Sequence, residues 1–377
     1  NVAYMNTTWS AGKDAGAIFS TCCSGGIVYI PDAAFKAALV GNDLIDTNFD
    51  DEIQCDEASA YTGIIYVNTL VIIDLTGIEA FVNVTGLYCY SNSLSSLNIS
   101  TNTALTVLSC SGNLLTSLDV SNNLNLTELY CQFNQLTNLN LLTNTALTDI
   151  VCSFNLLTNL DVSANNALIN LNCAGNQITS LDVSSNTALT RLNVISNQLA
   201  ALDVSNNTNL LYLFTGFNSL NNIDLSLLLN LEDFDCSYNL ISSIDLSANS
   251  QLIFLDVSGN QLTSLDLSNN LVLDLLQAYE NQITAIDVSA NTMITTVTVY
   301  DNNLSTLNLQ NGNNTNMTIA AFLNAPLTCI QVDDVTYATS NWTGDVDPGA
   351  AFSLACNLST TVTTFNASPA CAGATVT

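Results

Sequence analysis

The sequence predicts a mainly β solenoid: short parallel strands stacked coil on coil, with a helical cap at one end and a disulfide cap at the other. Three observations predict it. Asn recurs every 21 residues from Asn92 through Asn113, Asn134 and onward to Asn302, eleven positions without an exception. Apolar columns keep the same period, with Leu, Val or Ile eight residues before each Asn and Leu or Ile two and five residues after it. Hydrophobic residues make up 48% of the 377 residues and charged residues only 9%, so burial can outweigh chain entropy. A fixed period of this length is the signature of a repeat architecture, in which each unit buries its apolar face only against its neighbours.

Each coil has two straight segments. The unit reads L-x-x-L-x-C/V-x-x-N-x-L-x-x-L-D-V-S-x-N-x-x, and its second half, LDVSxN, imitates the first. A second Asn column confirms the imitation: Asn102, Asn123, Asn144, Asn165, Asn186, Asn207, Asn249, Asn270 and Asn291, broken at Leu228. Two Asn turns per coil predict a compact two-sided solenoid, poor in helix. The Asn amides are expected to bridge backbone N–H and C=O groups between coils, which no apolar residue can do. The unit resembles the bacterial leucine-rich repeat, L-x-x-L-x-L-x-x-N-x-L, over residues 84–310. It is most similar to secreted surface repeat proteins of Bacteroidetes-type bacteria. In those relatives a Lys often precedes the turn Asn; here Asn, Ala or Ser stands in its place.

The resemblance extends to an amino-terminal cap, residues 30–83. Within it, residues 46–57 read DTNFDDEIQCDE. An EF-hand loop sets oxygen ligands at positions 1, 3, 5 and 12 and a backbone carbonyl at position 7. Those positions hold Asp46, Asn48, Asp50, Glu57 and Glu52. Asp51 departs from the pattern, occupying the sharp turn where Gly is normal. PDAAFKAALVG has helical spacing before the loop and DEASAYTGI can open a helix after it. The expectation is a structural Ca²⁺ that fastens the cap, against a solvated acidic loop as the alternative.

The twelve cysteines fall in two classes. Cys89, Cys110, Cys131, Cys152, Cys173 and Cys236 share one inward column with Val194, Val257 and Ala278, so they are expected to be free, buried thiols. The other six lie outside the repeats. Solenoid ends expose apolar cross-sections that need caps, and Cys329 with Cys356 is the expected cap disulfide. Cys22 or Cys23 is expected to pair with Cys55, and Cys371 to pair elsewhere. Residues 1–29 form an amino-terminal extension, 311–356 the carboxy-terminal cap, and 357–377 a linker or the start of a further domain. The chain opens on Asn1 and reads as a processed product or an excised segment.

Two outer columns carry chemistry. Asp119 and the seven acids Asp161, Asp182, Asp203, Asp224, Asp245, Asp266 and Asp287 line one corner, with Asn98, Asn140 and Asn308 completing the row. Neighbouring charges about 5 Å apart repel by roughly 1–3 kcal/mol, so Ser or backbone donors, or bound cations, have to offset them. The first strand varies from coil to coil and displays Tyr88, Tyr90, Tyr130, Arg191, Tyr212, Phe214, Asp233, Asp235, Phe254, Asp256, Tyr279 and Tyr300. Exposed aromatics beside carboxylates suit protein contact or sugar stacking.

Composition excludes several functions. The absence of His removes Ser-His-Asp and Cys-His catalysis. Three Lys and Arg against 32 Asp and Glu leave no phosphate-binding face, so nucleic acid, anionic membrane and phosphoryl transfer are excluded. No apolar run is long enough to span a bilayer. The expected function is a non-enzymatic extracellular adhesion or binding module that meets a protein or glycan through the variable strand face. Alternatives are an architectural subunit of an extracellular assembly and, further off, an enzyme acting on polysaccharide.

Overall fold

The computed structural model describes residues 26–356. Thirteen three-residue strands form one parallel sheet whose strand order follows the sequence. It begins with Ile64–Tyr66, continues through Gly86–Tyr88 and ends with Thr318–Ala320. The register aligns the central apolar column, Leu87 on Leu108, Leu108 on Leu129, and so on to Val297 on Ile319. The central residue of each strand is buried and most of the flanking ones are half-buried. The sheet therefore outruns the strict repeat: Ile64–Tyr66 precedes it, and Thr318–Ala320 follows after a step of one extra residue. Among the described residues the opposite side of the coils pairs as a sheet only near the carboxy end, between Ala285–Asp287, Thr306–Asn308, Cys329–Gln331 and Ala351–Ser353.

The first Asn column builds the corner after each strand. Asn155 is typical: its Nδ2 donates to Cys131 O (3.0 Å) and Cys152 O (3.1 Å), and its Oδ1 accepts from Leu136 N (3.0 Å). One amide thus ties two coils. Asn324 continues the column past the strict repeat, donating to Val299 O and Ala321 O. Every residue immediately before these asparagines, from Ser91 to Leu323, has a φ between 50° and 64°. The six inward cysteines are buried and free, as expected. Burial pushes the thiols of Cys110 and Cys173 up to about 12, so they remain neutral core groups.

At the amino end, helix α1 (Ala33–Val40) is capped by Asp32, which accepts from Ala34 N and Phe35 N and also from Ile73 N in the adjoining turn. Phe35 and Leu39 bury one face of α1 against the same core as Ile53 and Phe81. Helix α2 (Cys55–Ala60) opens on a capping box between Gln54 and Glu57. Cys55 is disulfide-bonded; Cys22 and Cys23, the expected partners, lie outside the described residues, as does Cys371. At the carboxy end the expected Cys329–Cys356 disulfide is present. Helix α3 (Val335–Asn341) leads into buried Trp342, whose Nε1 donates to Met317 O. Among the described residues no helix is long and apolar enough to cross a membrane.

Candidate functional site

The strand face separates into two groups. Tyr88 and Tyr90 lie near the amino end, where Tyr88 stacks on Tyr66 at 5.0 Å, and Tyr130 donates to Glu128 Oε2. The remaining nine predicted residues lie on successive coils further along, from Arg191 to Tyr300. Arg191 lies over the Tyr212 ring at 4.2 Å and reaches Phe214 at 6.0 Å. It forms no ion pair; among the described residues the only one joins Lys36 and Glu52. Tyr212 pairs in register with Asp233, Phe214 with Asp235, and Asp235 with Asp256. Tyr212 donates to Glu232 Oε2 at 3.3 Å. Gly216 lies close beside this group: a Cβ there would stand 2.7 Å from Ser237 Oγ and 3.0 Å from Asp235 Oδ1, so either side chain would have to turn aside.

Electrostatics distinguish these acids. Burial, reinforced by Glu232 and countered by Arg191, raises the carboxyl of Asp233. Burial also raises Asp256, against hydrogen bonds from Ser258 and with Asp235 adding repulsion. The corner acids behave oppositely. Hydrogen bonds from the Ser two places on, side chain and backbone alike, hold Asp119, Asp161, Asp182, Asp203, Asp224, Asp245 and Asp266 below the usual carboxylate range. Each is a local Asx turn, such as Ser184 N to Asp182 Oδ1 at 2.9 Å. Asn98, Asn140 and Asn308 accept in the same way, which is why Asn substitutes in that row.

Five rings form a connected chain along this face: Phe217 on Tyr238 (4.6 Å), Tyr238 edge-on to Tyr279 (6.5 Å), Tyr279 on Tyr300 (4.6 Å) and Tyr300 on Phe322 (4.9 Å). A separate pair, Phe133 and Phe154, stacks at 4.7 Å. Sequence reasoning identified only Tyr279 and Tyr300. Phe133, Phe154, Phe217 and Tyr238 occupy the left-handed column before the ladder Asn. A side chain there costs about 1–2 kcal/mol. The column does signal its geometry, since Gly fills it at positions 112, 175 and 259. Gly175 and Gly259 lie under Phe154 and Tyr238, where a Cβ would come within 2.7 and 2.6 Å of the rings.

The acidic cap loop folds on its own donors. Asp46 accepts from Phe49 N and Asp51 N, Asn48 from Asp50 N, and Asp50 from Glu52 N and Gln54 Nε2. Glu57 accepts from Thr47 and from Gln54 N, while the Glu52 side chain turns to Lys36. Asp51 has φ 61°, the conformation Gly would supply at that position. Among the described residues no group of three or more His, Cys, Asp or Glu is placed to hold a metal ion.

Neither protein-family models nor curated proteins give a match to the chain. Solved structures do. The functional domain of InlJ from Listeria monocytogenes is 30% identical, with a TM-score of 0.62 over 84% of this chain and 79% of that one. That domain includes a cysteine ladder, the feature that Cys89 to Cys173 form here on five successive coils. An internalin, InlF, from Listeria monocytogenes str. 4b F2365 is 22% identical, with a TM-score of 0.69 over 82% of this chain and 93% of that one. A leucine-rich-repeat protein of Leptospira interrogans is 20% identical, with a TM-score of 0.63 over 73% of this chain and 81% of that one. Being 30% identical to the InlJ domain over 79% of that domain, with its fold and a Cys column in common, the chain belongs to the bacterial internalin-type leucine-rich-repeat proteins.

Proposed function

We propose that the chain is a non-enzymatic binding module of a secreted or surface protein, and that it adheres to a partner protein through the strand face between Arg191 and Phe322. The observation that carries this reading is the connected five-ring chain, set beside carboxylates on a solenoid whose other columns are regular. Aromatic anchors with a polar surround are the usual composition of protein contact sites. Sugar stacking needs free ring faces. Here most rings are stacked face to face with a neighbour, so the face favours protein over glycan. The test is adherence of beads coated with the intact protein to panels of bacterial and animal cells. Phe217→Ala with Phe322→Ala is expected to cut adherence about tenfold, and protease treatment of the cells to abolish it. Unchanged adherence by that pair would remove the strand face from the function.

The cap loop is proposed to take Ca²⁺, on the spacing of Asp46, Asn48, Asp50, Glu52 and Glu57. The ion has to draw Glu57 away from Thr47 and Asp50 from Gln54, both of which are hydrogen-bonded in the structure. Saturating Ca²⁺ at 100 times its Kd would stabilise the fold by about 2.7 kcal/mol. A melting temperature indifferent to Ca²⁺ and to EDTA ends the calcium reading and leaves a hydrogen-bonded acidic loop.

A further inference from the structure

We infer that the partner is a protein presenting arginine or lysine, seated across the five-ring chain against the carboxylates of Asp235, Glu280 and Asp301. This deepens the reading of the strand face as the binding face and rests on it. Charge complementarity is the first ground. The only basic residues of the whole chain are Lys13, Lys36 and Arg191, so none follows Arg191 in the sequence. The ring chain starts beyond Arg191, which comes nearest its acids through Phe214, the register partner of Asp235; among the described residues no other cation stands along it. Glu280 and Asp301 stand on the corner column, exposed, each immediately after a ring residue, Tyr279 and Tyr300. Asp235 lies on the strand beside Phe214 and neighbours Asp256. The acids crowd the rings closely enough to be felt: after burial, the charges of Glu280, Asp301 and Asp256 help raise the Tyr300 hydroxyl.

The second ground is ring geometry. Tyr279 and Tyr300 are 11° from parallel and Tyr300 and Phe322 are 5° from parallel, at separations under 5 Å. Rings so stacked offer edges and hydroxyls outward rather than faces. Edges carry the positive end of the ring quadrupole, so they add nothing that would hold a cation. The carboxylates have to do that, while the ring edges supply apolar contact to the stems of long basic side chains. A neutral glycan would find both faces of Tyr300 taken by its neighbours and would leave the charge uncompensated.

The experiment uses the full chain and a fluorescein-labelled peptide, four repeats of Arg-Gly-Ser, read by fluorescence anisotropy. The rim variant carries Asp235→Asn, Glu280→Gln and Asp301→Asn. A charge-matched control carries Asp161→Asn, Asp182→Asn and Asp203→Asn on the other corner. The rim variant is expected to weaken binding at least about tenfold, or 1.4 kcal/mol, and the control by less than about twofold. Equal weakening by both would mean diffuse attraction to an acidic protein and would overturn the inference. Tyr279→Ala with Tyr300→Ala is expected to weaken the peptide as well; if circular dichroism shows that pair misfolded, Phe217→Ala with Phe322→Ala replaces it. Should a neutral chitohexaose bind and lose binding in the ring variant, while the rim variant holds the peptide unchanged, the face reading stands and the basic partner falls. If neither rim nor ring variants alter any binding, both fall together.

Discussion

The two Asn columns look alike in the sequence and differ in what they bond. In the first, Asn155 spends both ends of its amide: two carbonyls receive its Nδ2 and its Oδ1 receives Leu136 N. In the second, Asn165 donates to Leu141 O (3.2 Å) and Asn144 O (2.8 Å), but its Oδ1 is buried with no hydrogen-bond partner. The same holds for Asn102, Asn123, Asn144, Asn186, Asn207, Asn249, Asn270 and Asn291. The reason is local. At the second corner the backbone closes on itself, Asn165 N to Val162 O and Leu168 N to Asn165 O, so no spare N–H faces the amide oxygen. At the first corner the left-handed residue before the Asn turns the chain outward and leaves the N–H of the previous coil to be claimed. The second column therefore acts only as a donor, the first as donor and acceptor. This explains why Leu228 is tolerated in the second column while all eleven repeats keep the first.

The largest test of that difference is removal of the donors. Asn155→Asp sets a carboxylate against two carbonyls and is expected to cost more than about 3 kcal/mol, as unpaired buried charges do. Asn155→Ala and Asn165→Ala are expected to separate by about 1–3 kcal/mol in urea unfolding, because only the first also strands a backbone N–H. Equal losses would mean that the acceptor contact is worth nothing, and the comparison would break. Smaller again is the acid response of the corner acids. Their carboxyls are lowered in the folded state, so the stability they contribute is present above the unfolded value of about 3.9 and lost as pH falls through the folded values. Asp256 runs the other way: its raised carboxyl opposes folding at neutral pH. Asp256→Asn is expected to raise the melting temperature at pH 7 and to lose that advantage at pH 3. A variant that destabilises equally at both would show that the Ser258 hydrogen bonds outweigh the burial of the charge.

Much of this molecule is legible in its columns. The 21-residue period, the buried Leu rows, the Cys column and the first Asn ladder follow from composition at fixed spacing, because a coil that stacks on copies of itself repeats its constraints. The Cys329–Cys356 bond follows from the need to close an end. The corner acids were legible too, through the Ser that trails them. The residues of the candidate face were legible by halves. Reading the strand as alternating residues found Arg191, Tyr212, Phe214 and the three acids. It missed Phe217 and Tyr238, because they sit in the left-handed column, where a bulky ring is unexpected, and Phe322, because one inserted residue breaks the count.

What the sequence determined by itself is the architecture: period, hand-off from coil to coil, core, caps and the overwhelming negative charge are properties of residue type and spacing, which stacking copies unchanged. What the tertiary structure decided is which surface residues meet. Arg191 lies over the Tyr212 ring and forms no ion pair among the described residues; Tyr238 skips a coil to meet Tyr279; the Oδ1 atoms of the second Asn column have no hydrogen-bond partner. Those outcomes turn on side-chain direction and on which backbone groups are already spent, and neither is a property of any single column.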